Sequence, residues 1–192
     1  MKILGIVCSP RKGGNTEILV REALEAAHEA GAETELVLIA DKEIAPCDGC
    51  GACLKTGICI IKDDMQALYQ QLEQADGLIF GTPVYFANVT AQAKTVMDRT
   101  YAFLRVGKLR GKVASAIVAA RRIGAGQVLS LLYTYFMSQR MTIAAGGIGY
   151  GRQKGDVREG VGGLPDFSAL EEARAVGKAT VRMVERLAKK QG

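Results

Sequence analysis

The sequence contains a single histidine, His28, among its 192 residues. Hydrolytic centres of the Ser-His-Asp and Cys-His types need a histidine base beside a nucleophile. His28 falls in the middle of a predicted helix near Glu25 and Glu29, which indicates a surface position. A paired nucleophile and base are therefore lacking, and we expect a bound cofactor to supply the chemistry.

Long hydrophobic runs are also missing. The longest, at residues 113–120, has eight residues, whereas a membrane-spanning helix needs about 20. The apolar run at residues 3–8 follows one lysine and precedes no small-residue cleavage site, so it indicates a strand rather than a secretion signal. We expect no membrane association and a cytoplasmic location.

The common phosphate-binding signatures are absent as well. There is no G-x-x-x-x-G-K-[ST] motif, so nucleoside triphosphate hydrolysis is unsupported. Gly124-Ala-Gly126 lacks the third glycine of the dinucleotide motif, because Leu129 stands in its place. A phosphatase of the Cys-x5-Arg type would need arginine at position 14, where this chain has Gly14. No motif distinguishes NADH from NADPH.

The net charge of +5 does not come from a nucleic-acid-binding strip. Basic residues are dispersed, and the one loose group, at residues 105–112, is not interleaved with aromatic residues. We therefore expect no nucleic-acid partner. A basic surface that attracts anionic cofactors or acidic proteins fits the charge better.

Short apolar runs alternate with helical periods along the chain. Predicted strands lie at residues 2–8, 33–40, 77–81, 112–119 and 142–147. Predicted helices lie at residues 16–30, from 65, at 89–104, at 126–138 and from 169 to 187. This order predicts an α/β fold, a doubly wound parallel sheet in a single domain over residues 1–192, with an enlarged loop at 41–62 after the second strand.

Two loops at the expected ligand-binding edge of this sheet stand out. The loop at residues 8–16 has small polar side chains, Gly13, Gly14 and a following helix, which suit a phosphate, although an ordinary tight turn is the alternative. Tyr85 and Phe86 follow the third strand and can form a wall for a flat heterocycle, although core packing explains them equally well alone. Together, the two loops would face each other at the switch point of the sheet.

The most specific pattern is Cys47-x2-Cys50-x2-Cys53-x5-Cys59. Three thiols at three-residue steps, separated by glycines that let the chain curl, suit an iron-sulfur cubane, and the fourth thiol closes the site. Structural zinc usually uses two C-x-x-C pairs about 15–20 residues apart. Zinc and an unmetallated redox or vestigial cluster remain alternatives, and disulfides are disfavoured in a reducing compartment.

Outside this group, Cys8 ends the first strand and is expected to be a small buried residue, with a thiol near a cofactor as the alternative. Asp63 and Asp64 resemble a paired carboxylate. However, they precede a helical pattern, and Asp63 with Gln66 predicts a capping box. Ser168 with Glu171 predicts a second one.

Taken together, these residues resemble the iron-sulfur flavoproteins within the NADPH-dependent FMN reductase family of flavodoxin-like proteins. The resemblance rests on Ser9-Pro-Arg-Lys-Gly-Gly-Asn-Thr16, on Pro46-Cys-Asp-Gly-Cys-Gly-Ala-Cys53 and on the shorter matches Asp63-Asp-Met65, Thr82-Pro-Val-Tyr-Phe86 and Asp98-Arg99. It implies a flavodoxin-like sheet of order 2-1-3-4-5. The loop Ala119-Ala-Arg-Arg-Ile-Gly124 departs from the glycine-rich run expected there.

The resemblance also implies the cofactors and their ligands. FMN would be held through its phosphate by Ser9, Arg11, Gly13, Gly14, Asn15 and Thr16, and through its isoalloxazine by Pro83, Val84, Tyr85, Phe86 and Asn88. A 4Fe-4S cluster would be ligated by Cys47, Cys50, Cys53 and Cys59. The family implies a homodimer or homotetramer, and Arg121 or Arg122 can place positive charge near the flavin.

Three functions follow from this sequence. The first is an electron-transfer flavoprotein with FMN and a 4Fe-4S cluster, exchanging electrons between a protein donor such as ferredoxin and a small or protein acceptor. The second is an NAD(P)H-dependent reductase of FMN, quinones or metals without a functional cluster. The third is a redox sensor whose partner contacts change when the cysteines are oxidised or lose their cluster.

Overall fold

The computed structural model describes residues 1–159 and 168–189. Its centre is a five-stranded parallel sheet of order β2-β1-β3-β4-β5, which confirms the predicted fold class. The strands are β1 (Lys2–Val7), β2 (Glu33–Leu38), β3 (Gly77–Pro83), β4 (Val113–Ala120) and β5 (Thr142–Tyr150). The predicted single domain also includes residues 160–167 and 190–192, which lie outside the described residues.

Helices cover both faces of the sheet. Their bounds are α1 (Asn15–Glu29), α2 (Cys53–Thr56), α3 (Met65–Gln74), α4 (Ala91–Arg99), α5 (Tyr101–Leu104), α6 (Ala125–Ser138) and α7 (Ala169–Ala188). Helices α1 and α7 pack on one face of the sheet, and α3, α4 and α6 supply the core on the other. This arrangement gives three layers.

Successive strand residues face opposite cores, as the twofold period of a strand requires. In β3, Ile79 packs with α1 and α7, whereas its neighbours Leu78 and Phe80 pack with α3 and α6. Because both faces are covered, all eight residues of β4 are buried. The continuous apolar run at 113–120 is thus explained by a central strand.

Several observed boundaries differ from the predicted ones. The helix predicted at 89–104 is two helices, α4 and α5, which meet at Thr100. Thr100 donates its hydroxyl proton to the carbonyl of Met97 at 2.6 Å. Strand β5 continues three residues beyond Gly147 to Tyr150, and β3 continues to Pro83. At α7 the predicted cap is confirmed, since Ser168 Oγ accepts the Glu171 N–H.

Within the described ranges, no helix is both long and apolar enough to cross a bilayer.

Helices α1 and α7 approach each other at a glycine. A Cβ built on Gly177 would lie 2.0 Å from the carbonyl oxygen of Ala23, which is backbone and cannot rotate away. Gly126, in the first turn of α6, has open space around the equivalent position. The two glycines therefore differ in what their missing side chain permits.

We expect Gly177→Ala to destabilise the protein by about 1–3 kcal/mol through overpacking of α1 against α7. Gly126→Ala should instead be neutral or stabilising by up to about 1 kcal/mol, because alanine favours a helix more than glycine does. Urea unfolding of both variants measures the two changes. Equal stability of the two variants would contradict the close approach at Gly177.

Candidate functional site

A cavity of about 250 Å³ lies at the carboxyl edge of the sheet. It is bounded by the loops that follow β1, β3, β4 and β5, so the tertiary structure joins the two loops that the sequence singled out. Its lining includes Ser9, Arg11, Gly14, Asn15, Thr16, Pro83, Val84, Tyr85, Ala119, Ala120, Arg121, Gly151, Arg152, Gln153 and Lys154. Eight of the eleven residues predicted for the flavin are in this lining, and Gly13, Phe86 and Asn88 are outside it.

The loop after β1 is shaped by its own short-range hydrogen bonds. Ser9 Oγ accepts the Arg11 N–H at 3.1 Å, which turns the chain immediately after the strand. The Gly13 N–H donates to the Glu17 carboxylate at 2.6 Å. That N–H is therefore already engaged, whereas Gly14, just before α1, borders the cavity with an extended backbone.

Asn15 joins this loop to a segment that the sequence reasoning did not identify. Its amide nitrogen donates to the Gln153 carbonyl at 2.8 Å and to Asp156 Oδ1 at 3.1 Å, and its oxygen accepts the Gly155 N–H at 2.8 Å. The segment 151–157 is held against α1 by these bonds. Asn15 thus uses both ends of its amide to build the cavity wall.

This wall requires a glycine at its start. A Cβ on Gly151 would lie 2.2 Å from Asn15 Nδ2 and 2.3 Å from Asp156 Oδ1. Beyond Gly151, the wall presents Arg152 and Lys154 to the cavity, both exposed and basic. The available sequence signal was a glycine and two cations following the fifth strand, at the edge where parallel strands bring their loops together.

The loop after β3 turns tightly. The backbone groups of Tyr85 and Asn88 pair with each other at 2.9 and 3.0 Å, and Phe86 and Ala87 adopt left-handed φ angles of 47° and 61°. Tyr85 borders the cavity, and Phe86 is fully exposed. The core-packing alternative for these two aromatics is therefore wrong. Arg121 also borders the cavity, unlike Arg122.

A second cavity of about 180 Å³ is lined by all four cysteines of the predicted cluster, Cys47, Cys50, Cys53 and Cys59. Gly49 and Gly51 both have left-handed φ angles of 72°, which confirms that glycines curl the chain between the thiols. Asp48 Oδ1 accepts the Cys50 N–H at 3.1 Å and tightens the same turn. The cysteine segment therefore wraps around one space.

A cubane cluster is held by one thiolate on each of its irons, so its ligands surround a volume and need not meet at a point. In residues 1–159 and 168–189, no three Cys, His, Asp or Glu side chains come close enough to hold one metal ion. Four thiols around a shared cavity fit the volume of a cluster. The same four cysteines are free thiols, with no disulfide among them.

Beneath the cysteine segment lies a buried ion pair between Arg99 and Asp63. Arg99 Nη1 contacts Asp63 Oδ2 at 2.6 Å and Nη2 contacts Oδ1 at 3.0 Å, a bidentate pairing with the arginine side chain fully buried. Arg99 also donates to the carbonyls of Ala45 at 2.7 Å and Ile61 at 3.4 Å. These two carbonyls flank the cysteines on either side, so one guanidinium ties together both ends of the segment.

The role of Asp63 corrects the capping interpretation. Asp63 does accept the Met65 N–H at 3.0 Å, which is a cap contact at the start of α3. Gln66, however, does not return to the Asp63 N–H. Its amide donates to the carbonyls of Ile61 at 2.6 Å and Cys59 at 3.3 Å. The capping box is absent because both side chains are used to hold the cysteine segment.

The ion pair sets the protonation states of both partners. Burial raises the pKa of Asp63, but the Arg99 guanidinium and the N–H donors of Ala45 and Met65 outweigh it and bring the pKa below its usual range. Burial lowers the pKa of Arg99, but Asp63 more than compensates and the pKa is raised. Both groups are therefore charged at neutral pH.

Cys8 and His28 match their predicted positions. Cys8 is completely buried at the end of β1, burial raises the pKa of its thiol, and it borders neither cavity. His28 is exposed on α1. These two residues contribute to neither site.

A doubly wound parallel sheet of order 2-1-3-4-5, with a cavity where its strand order reverses, defines the flavodoxin-like class. Within that class, the chain belongs to the NADPH-dependent FMN reductase family, whose profile matches residues 1–153.

Curated relatives include several iron-sulfur flavoproteins. One from Methanocaldococcus jannaschii is 40% identical over 200 aligned residues, which cover 98% of this chain and 100% of the relative. Another, from Archaeoglobus fulgidus, is 38% identical and covers 96% of this chain and 98% of the relative. A third, from Methanosarcina thermophila, is 44% identical over 66% of this chain and 67% of the relative.

Solved structures support the same fold. RosB superposes with a TM-score of 0.77 at 19% identity, covering 100% of this chain and 82% of RosB. A flavodoxin, WrbA-like protein from Agrobacterium tumefaciens superposes with a TM-score of 0.67 at 16% identity, covering 96% of this chain and 98% of that protein. At these identities the likeness concerns the fold alone.

We expect Asp63→Asn to lower the free energy of unfolding at pH 7 by about 3 kcal/mol, because it leaves a buried guanidinium without its anion. Since folding lowers the pKa of Asp63, its contribution is present above the unfolded value of about 3.9 and is lost as the pH falls through the folded pKa. The variant should therefore lose less stability than wild type below about pH 4.

Denaturant unfolding between pH 2 and pH 7 measures this difference. Asp64→Asn is the matched control, because Asp64 accepts the Glu43 N–H and does not contact Arg99. Identical pH dependence in wild type and Asp63→Asn would contradict the ion pair.

We expect Asn15→Leu to release the wall at residues 151–157, because the Gly155 N–H loses its acceptor and the Gln153 carbonyl its donor. A net hydrogen bond contributes about 1 kcal/mol, so hydrogen exchange in this segment should accelerate roughly fivefold. Mass spectrometry of the corresponding peptides measures the exchange. Asn88→Leu serves as control, since Asn88 Oδ1 accepts only the neighbouring Val89 N–H. Unchanged exchange in Asn15→Leu would refute the clamp.

Proposed function

We propose that this chain is an electron-transfer flavoprotein with one FMN and one 4Fe-4S cluster, passing electrons between a protein donor such as ferredoxin and a small or protein acceptor. The observation that carries the proposal is the cavity shared by Cys47, Cys50, Cys53 and Cys59. Similarity over nearly the whole chain to proteins named iron-sulfur flavoproteins supports it.

FMN belongs in the cavity at the carboxyl edge of the sheet. Its phosphate would lie at Ser9, Arg11, Gly14 and Thr16, where a helix N-terminus and an arginine both favour an anion. Asn15 would act by fixing the wall, and the engaged N–H of Gly13 would shape the loop. Pro83, Val84 and Tyr85 would contact the isoalloxazine, with Phe86 and Asn88 in the adjoining turn.

The charges around this cavity suit an anionic and reducible ligand. Arg11, Arg121, Arg152 and Lys154 all border it, and no acidic residue is in its lining. Positive charge near a flavin stabilises its reduced, more negative form and so raises its reduction potential. Arg121 therefore takes the role that was expected of Arg121 or Arg122.

The cysteines would hold the cluster as thiolates. Cys47 and Cys50 are exposed, whereas Cys53 and Cys59 are partly buried. FMN exchanges electrons singly or in pairs, and a cluster exchanges them one at a time, so the protein can join two-electron and one-electron partners. The residues of the chain orient the cofactors and set their electrostatic environment.

Exposed apolar side chains beside the cysteines suit a protein partner. Leu54, Ile58 and Ile60 are each at least two-fifths exposed, on the segment that carries the thiols. The net charge of +5 favours an acidic redox protein such as ferredoxin. A homodimer or homotetramer is part of the same proposal, and light scattering of the purified protein determines its mass.

A second function, NAD(P)H-dependent reduction of FMN, quinones or metals without a functional cluster, is favoured by membership of a reductase family. The two functions differ in their need for iron. Steady NAD(P)H oxidation by protein that lacks iron would favour the reductase.

We expect protein purified without oxygen to contain about four iron and four sulfide with one FMN per chain, measured by chemical assay and by the visible spectrum. Cys50→Ala should lose the iron and sulfide but retain FMN, because Cys50 lines only the cysteine cavity. Cys8→Ala is the matched control and should retain both cofactors, because Cys8 borders neither cavity. FMN without iron in wild-type protein would reject the cluster and favour the reductase.

A further inference from the structure

Arg99 is more deeply buried than its ion pair alone requires. Its side chain has no solvent exposure, whereas that of Asp63 is 12% exposed. A guanidinium has five N–H donors in a rigid fork. The two terminal nitrogens contact the Asp63 carboxylate and the carbonyls of Ala45 and Ile61. These contacts account for one edge of the fork and the outer donors.

The remaining donor, Nε, has no partner. It is buried and makes no hydrogen bond to any residue in the described part of the chain. Leaving a buried donor of a charged group unsatisfied costs about 1–3 kcal/mol or more, so such groups usually have a ligand or a function. The carboxylate occupies the edge formed by the two terminal nitrogens, which leaves Nε on a different edge.

Arg99 also lines the cysteine cavity. Its partner Asp63 does not, so the cation borders the cavity and the anion lies outside the lining. The other charged side chains in the lining are Asp48 and Asp98, both acidic. Among the residues that the structure describes, Arg99 is therefore the one cation facing the space enclosed by the four thiols.

The geometry points to Arg99 as the hydrogen-bond donor and charge partner of the sulfur-ligated cluster, with its Nε–H directed to a cluster sulfur or to a ligating cysteine sulfur. This inference rests on the proposed cluster and adds a residue that tunes it. On reduction the cluster gains one electron from a one-electron donor and becomes one charge more negative. A buried cation stabilises that form, and hydrogen bonds to sulfur act in the same direction.

A purely structural Arg99 would behave differently from a tuning Arg99. If Arg99 served only to tie Ala45 and Ile61 together, breaking the pair from either side would disturb the cysteine segment in the same way. If its charge acts on the cluster, removing the cation and removing the anion have opposite electrostatic effects. The sign of the change in reduction potential separates these cases.

The test uses anaerobically purified protein containing FMN and cluster, titrated with dithionite and followed by electron paramagnetic resonance. Arg99→Met removes the charge and the donor, whereas Arg99→Lys keeps the charge and loses the Nε–H. Asp63→Asn keeps Arg99 and removes its anion. Asp64→Asn is the matched control, because Asp64 is outside the lining of the cysteine cavity.

We expect Arg99→Met to lower the ratio of reduced to oxidised cluster about tenfold at the wild-type midpoint, which is about 59 mV for one electron. Arg99→Lys should shift the midpoint in the same direction by less. Asp63→Asn should shift it in the opposite direction, and Asp64→Asn should leave it unchanged.

An unchanged midpoint in Arg99→Met would overturn the inference, as would shifts of the same sign in Arg99→Met and Asp63→Asn. Loss of iron from all three Arg99 and Asp63 variants, with wild type loaded, would show a structural role only and also overturn it. These outcomes leave the proposed function standing. Wild-type protein without iron would instead overturn the proposed cluster and this inference together.

Discussion

A guanidinium removed from water needs an anion and acceptors for its donors, and the position of the cysteine segment depends on how Arg99 meets that need. Asp63 provides the anion, and the carbonyls of Ala45 and Ile61 provide acceptors on both sides of the four thiols. Gln66 adds bonds to Cys59 and Ile61 from α3. The enlarged loop after β2 is thus anchored to the core by polar contacts, since few of its residues are buried.

The flavin-type cavity depends on a different constraint, the common direction of parallel strands. Because β1, β3, β4 and β5 all end at one edge, four loops distant in sequence converge there. Asn15 then joins the first of these loops to the last across about 140 positions of the chain. The basic wall so formed gives the cavity its positive character.

The two sites use charge in a related way. Around the first cavity, the cations are exposed and numerous, which suits the recognition of a phosphate that arrives from solution. Around the cysteines, the lining has one cation, and it is buried and paired. A buried charge is screened less by water and salt, so a single residue there can influence a redox group strongly.

Local patterns in the sequence were sufficient for the doubly wound fold, the five strands and the grouping of the cysteines, because strand and helix periods, glycine turns and thiol spacing are all short-range. The same patterns led Asp63 to be interpreted as a cap, since its acidic side chain does precede a helix. Its pairing with Arg99, the basic wall at 151–154 and the exposure of Phe86 were decided only by tertiary structure. Each depends on residues that are far apart in the chain, and burial and hydrogen-bond pairing at that distance leave no periodic signal in sequence.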